Sequence, residues 1–108
     1  MKTDIYGRIE RKAETFAVLN DEDLNMLETT VTELYPNFKP RLYDICQLSI
    51  QDFRMCLLIK VFNFSITKIS YLLGRDHSTI SKAIKKLQTY ILGGDVSRNE
   101  FMKFIKEL

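Results

Sequence analysis

Three consecutive residues, Asp76, His77 and Ser78, carry the functional groups of a hydrolytic triad. A triad requires each group within hydrogen-bond reach of the next, and neighbours in one helical turn point in divergent directions, so the trio predicts no catalysis. His77 is the only histidine, and no thiols cluster near it, which leaves neither a zinc site nor any other metal or cofactor site to expect. No phosphate-cradling glycine loop or paired-carboxylate pocket is visible in the pattern. The chemistry that does fit this region is donation. Arg75, His77, Ser78, Thr79, Ser81, Lys82, Lys85 and Lys86 bring short polar groups first and long cations after them. Short donors in that order suit the edges of bases, and the cations suit phosphates. Lysines alone would read as a solvated helix face; it is their company at a helix start that favours nucleic acid.

Those residues need elements to hold them, and residues 65 to 92, SITKISYLLGRDHSTISKAIKKLQTYIL, read as helix, tight turn, helix. Ile66, Ile69 and Leu73 fall three and four apart, predicting a short helix capped by Ser65, with Thr67, Lys68 and Tyr71 outward. Gly74 follows, where a helix commonly ends in a left-handed residue. Asp76 is placed to cap a second helix whose Ile80, Ile84, Leu87 and Ile91 form one apolar stripe. Ser70 is small where two helices joined by a three-residue turn must cross closely. The partner this predicts is double-stranded DNA, with the helix of about residues 77 to 91 in the major groove.

At these residues the sequence resembles the LuxR/GerE-type helix-turn-helix and, more loosely, the last DNA-binding region of bacterial sigma factors. Ile69, Ser70, Leu73, Gly74, Thr79 and Ile80 stand where that family has apolar, small, apolar, glycine, threonine and β-branched residues. LSIQDF, Leu48 to Phe53, looks like its opening, and the likeness covers roughly residues 48 to 93. It implies a bacterial transcriptional regulator or its effector end, with RNA polymerase or a sensory protein as further partners. Two departures stand out: Arg75 occupies a position where such motifs bury an aliphatic side chain, and the helix before Ser65 runs a residue longer. RDHST, Arg75 to Thr79, is also similar to the signature of the bacterial replication initiator's DNA-binding domain, where the turn is one residue longer. That gives DNA-box binding as a narrower alternative. From a different class comes a docking reading: such folds can serve as protein-interaction modules, and Asp76 would repel a phosphate unless spent on capping.

Composition sets the frame. A chain of 108 residues with 45% hydrophobic and 28% charged residues, four glycines and two prolines, predicts one small all-α domain of six or seven helices. The longest apolar run, Met55 to Ile59, falls far short of the ~20 residues that cross a bilayer, and no secretory signal opens the chain, which predicts a cytoplasmic protein with no membrane partner. Cys46 and Cys56 show no metal or disulfide spacing and are expected reduced, Cys56 in the core. The net charge of +2 hides a gradient. Residues 1 to 47 hold six basic and nine acidic side chains, net −3; residues 48 to 92 hold seven and two, net +5. A binding end joined to a bracing end would look like this. The expected division is therefore an N-terminal helical extension over 1 to 47 and a helix-turn-helix domain over 48 to 108.

Along the chain, residues 3 to 18 predict a helix capped by Thr3 or Asp4 with Ile5, Ile9, Ala13 and Phe16 inward, either a solvated appendage or a pairing surface for a second copy. Asn20 opens a second helix with Leu24, Leu27, Val31 and Leu34 on its core face. Pro36 and Pro40 bracket PNFK, after which Phe38, Leu42 and Ile45 are expected to lock a short helix from Arg41 onto the core. Residues 49 to 62 are apolar on nearly every face and predict the central helix, with Ser49 and Asp52 at capping-box spacing and Asn63 closing it. After Gly93 and Gly94, Ser97 is expected to cap a clasp helix carrying Phe101, Phe104, Ile105 and Leu108. One such module reads few base pairs, so useful affinity implies a homodimer on half-sites ~34 Å apart.

Overall fold

The computed structural model describes residues 4–45, 47–94 and 96–108; the cap expected of Thr3 and the reduced thiol expected of Cys46 lie outside the described residues. Within them the chain forms seven helices and no strand: α1 Asp4–Glu14, α2 Asp21–Leu34, α3 Phe38–Ile45, α4 Ile50–Val61, α5 Ile66–Leu73, α6 His77–Leu92 and α7 Arg98–Glu107. The all-α expectation holds, and no helix is long and apolar enough to cross a membrane.

Short polar caps decide where these helices begin. The Ser49, Ser65 and Ser97 hydroxyls accept from the backbone N–H of Asp52, Lys68 and Glu100 at 3.1, 3.2 and 3.2 Å, each satisfying a donor that a helix start leaves orphaned. The reciprocal capping box forms in α2, not in α4. Asn20 accepts from Asp23 N–H at 2.7 Å, and the Asp23 carboxylate accepts from Asn20 N–H at 3.3 Å. In α4 the corresponding Asp52 pairs instead with Lys86, 3.6 Å away on α6. Asp23 is fully buried and also takes the Arg8 guanidinium at 3.0 Å and the Lys12 ammonium from α1. Burial opposes its charge, but the Lys12 hydrogen bond, the Asn20 amide and the Lys12 and Arg8 charges outweigh it and hold the carboxyl below its ordinary range.

The core is built around α4, as its all-round apolarity requires. Phe53, Met55, Cys56, Leu57, Leu58 and Ile59 are all buried, and α2, α5 and α7 pack on this helix. Ile5, Ile9 and Ala13 of α1 join the same buried cluster against α2 and α5, and Phe101 and Ile105 seat α7 across α4 and α6. The C-terminal ends of α4 and α7 are fastened to each other by a reciprocal exchange. Lys106 Nζ donates to the Ile59 and Phe62 carbonyls at 2.9 and 2.6 Å, while Lys60 Nζ donates to the Lys106 carbonyl at 2.5 Å. Each cation thereby satisfies carbonyls that the other helix leaves open at its negative end. Lys60 also lies over the Tyr35 ring, 4.5 Å from its centroid. Burial lowers both lysine pKa values, and for Lys106 the Lys60 charge adds to it.

Several expected core positions fall elsewhere. Phe16 leaves the α1 stripe because the helix stops at Glu14 and Phe16 takes a positive φ of 55°, turning its ring half out to solvent. Leu34 and Ile45, each the last residue of its helix, overhang the core and are exposed. In α5 it is Leu72 that is fully buried and Leu73 that lies at the edge. Pro40 does not end a segment but sits in the first turn of α3, where its missing N–H leaves no helical bond unmade. The α4 helix closes at Phe62, whose N–H donates to Leu58, one residue before Asn63.

Candidate nucleic-acid interface

The turn between α5 and α6 is three residues long, Gly74 to Asp76. Gly74 adopts φ 65°, ψ 37°, and Arg75 N–H reaches back to the Ser70 carbonyl at 2.9 Å, which closes α5 in a Schellman ending. Ser70 is buried and its hydroxyl donates to the Thr67 carbonyl at 2.7 Å, so the small residue lies under the crossing without an unmet polar group. The turn is further braced from the N-terminal segment: Leu19 N–H donates to the Leu72 carbonyl at 2.8 Å.

On α6 the apolar stripe is as spaced: Ile80, Ile84 and Leu87 are buried and Ile91 is partly covered. At 100° per residue, the line opposite that stripe is Ser78, Lys82, Lys85 and Thr89, and all four are exposed. His77 and Ser81 occupy one flank; His77 is exposed and Ser81 half-buried. Thr79 and Lys86 occupy the other, and both are exposed. Arg75 is exposed at the turn and presents a cation to solvent there.

Two residues behave differently from their sequence assignments. Asp76 takes the N-cap position of α6 with extended backbone, φ −67° and ψ 149°, but makes no side-chain capping bond, and its carboxylate stays exposed beside His77. Lys86, assigned to phosphates, is paired with Asp52 from α4. The lysine end is exposed although the Asp52 carboxylate is largely buried, and the 3.6 Å pair biases the ammonium toward the protein flank and away from the central line. The positional weight therefore falls on Lys82 and Lys85. The eight candidates are brought onto one helix and its leading turn, but as a central line with two flanks rather than one row.

The exposed polar surface around the turn is not confined to α6. Thr67 and Tyr71 of α5, Val18 from the loop after α1, and Arg75, Asp76 and His77 line one open crevice of about 470 Å³. Sequence periodicity placed Tyr71 outward and it is half exposed; Val18 carried no sequence signal at all, because its loop reaches the turn only through tertiary packing.

No protein-family model, curated protein or solved structure matches this chain. What the structure defines by itself is a class: an all-α chain that presents a capped helix, a three-residue turn and a second helix with a polar, cationic outer line.

Proposed function

We propose that this chain binds double-stranded DNA sequence-specifically, with α6 in the major groove, as a transcriptional regulator or the effector part of one. The observation that carries this reading is the outer line of α6. Ser78, Lys82, Lys85 and Thr89 are exposed together on the side opposite the buried stripe, immediately after a turn that fixes where α6 points. Such a helix supplies donors to base edges at its N-terminal end and cations to phosphates further along. His77, Ser78 and Ser81, with Thr79 at the flank, are the readers in this scheme; Arg75 and Lys85 position the helix, and Lys82 stands between the two roles. A cytoplasmic location, a homodimer on paired half-sites and contact with RNA polymerase or a sensory protein belong to the same proposal.

A second reading, a protein-docking module, is favoured by one specific observation. The exposed Asp76 carboxylate is not occupied in capping and stands on the face that would meet phosphates. Selection from a random duplex pool separates the two. Recovery of a shared motif supports a sequence reader, and flat recovery at low salt supports docking or non-specific attraction.

A further inference from the structure

We propose that the DNA-contacting surface continues off α6 onto an aromatic ledge, Phe16 with Tyr71, which seats the sugar-phosphate strand beside the groove that α6 enters. This rests on the duplex-DNA reading above.

Phe16 is the one non-glycine residue with positive φ among the described residues, at 55°. That φ belongs to the Schellman ending of α1, in which Ala17 N–H donates to the Lys12 carbonyl at 2.9 Å and Phe16 N–H to the Ala13 carbonyl at 3.3 Å; glycine is the usual residue there, so a bulky side chain is strained. Burial of the ring does not compensate the strain, because Phe16 is 50% exposed. Its ring meets Tyr71, also 50% exposed, edge to face with centroids 4.9 Å apart, and Val18, 57% exposed, extends the apolar surface. Scattered exposed hydrophobics are ordinary; here two from the loop after α1, Phe16 and Val18, each lie beside Tyr71 of α5.

Position selects the occupant. The loop is tied to α5 through Leu19 and Leu72, and Val18 and Tyr71 share one crevice with Arg75 and His77. In a helix-turn-helix complex the first helix crosses the backbone while the second enters the groove. The strand passing α5 presents apolar deoxyribose faces alternating with anionic oxygens. The Phe16 ring and Val18 suit the former; the Tyr71 hydroxyl and the Arg75 guanidinium, both donors, suit the latter. The ledge thus adds affinity without sequence information and, apart from Arg75, without releasing counterions.

The test uses the full chain with two variants, Tyr71→Phe, which removes only the hydroxyl, and Phe16→Gly, which removes the ring and the strain together. Binding is measured by fluorescence anisotropy on a pool-selected duplex and on a scrambled one, across salt. Each variant is expected to weaken both duplexes alike, about two- to tenfold for the loss of one hydrogen bond or ring contact, with the salt slope unchanged. Phe16→Gly is expected to keep or raise the thermal midpoint, since glycine takes positive φ freely, so lost binding cannot be lost folding. If wild type binds duplex and both variants bind as well as it does, the ledge is overturned and the α6 reading stands. Should Phe16→Gly instead convert a dimer to monomers at unchanged affinity per site, the ledge is a contact between copies and the proposal is equally overturned. A wild type that retains no duplex sinks the α6 reading and the ledge with it.

Discussion

Replacing Gly74 by alanine probes the turn that aims α6, and the structure allows its cost to be worked out. Gly74 holds φ 65°, where an L side chain pays about 1–2 kcal/mol. Alanine returns roughly 0.4–1 kcal/mol of that by restricting the unfolded chain. A Cβ at Gly74 would lie 3.3 Å from Val18 Cγ1, tighter than ordinary contact. Val18 is 57% exposed and can rotate aside, so the crowding adds no more than ~0.5 kcal/mol. The sum is a loss of about 1–1.5 kcal/mol. Gly93 supplies the control, because it has φ 85° but nothing within 4 Å of its missing Cβ, so Gly93→Ala is expected to cost about 1 kcal/mol. Thermal or urea unfolding of both variants reads the difference; a loss of ~1 kcal/mol lowers the midpoint of a domain this size by roughly 4–8 °C. Gly74→Asn should recover part of the loss, since asparagine visits the left-handed region more readily. A neutral Gly74→Ala, or one costing several times Gly93→Ala, would refute the reasoning about what holds the turn.

Three further outcomes are expected. Asp23→Asn should destabilise by roughly 2 kcal/mol through loss of the charge-assisted hydrogen bond from Lys12 and the ion pair with Arg8. It should also flatten the acid limb of the stability curve: the folded pKa is lowered, so the wild-type contribution is complete above the unfolded value near ~3.9 and disappears as pH falls below it, which urea unfolding from pH 6 to 2 would follow. Lys106→Met should cost about 1–2 kcal/mol by orphaning the Ile59 and Phe62 carbonyls, whereas Lys103→Met, on the exposed side of the same helix, should be within ~0.5 kcal/mol of wild type in the same assay. Phe101→Ala should cost roughly 3–5 kcal/mol, because the ring is fully buried between the clasp and the α4 core, and calorimetry that found it nearly neutral would mean the clasp is not part of the cooperative unit.

How far the sequence alone reaches is clear from particular residues. Ser49, Ser65, Ser97 and Asn20 marked four helix starts correctly because capping is local chemistry, and Gly74 and Gly93 marked two ends for the same reason. The α6 stripe was legible since isoleucines and leucine at fixed spacing permit one phase only. Where two leucines adjoin, as at Leu72 and Leu73, periodicity leaves the phase open and packing chooses. Leu34, Ile45 and Phe16 were misplaced because a helix end can overhang its core, and spacing says nothing about where the neighbouring helix stops. The candidate site was legible as residues but not as electrostatics. Lys86 is drawn to Asp52 across the fold, and Asp76 caps by position without a side-chain bond; both facts depend on tertiary geometry.

The most direct measurement is equilibrium binding of wild type, His77→Ala and Lys85→Ala to a pool-selected and a scrambled duplex across a range of salt. With α6 in the groove as placed here, His77→Ala costs about 1–3 kcal/mol on the selected duplex and little on the scrambled one. Lys85→Ala should weaken both equally and lower the salt slope by about one ion. If Lys85→Ala instead changed which duplex is preferred while His77→Ala changed nothing, α6 would be docked in another orientation and the division between base-reading and positioning residues would be wrong.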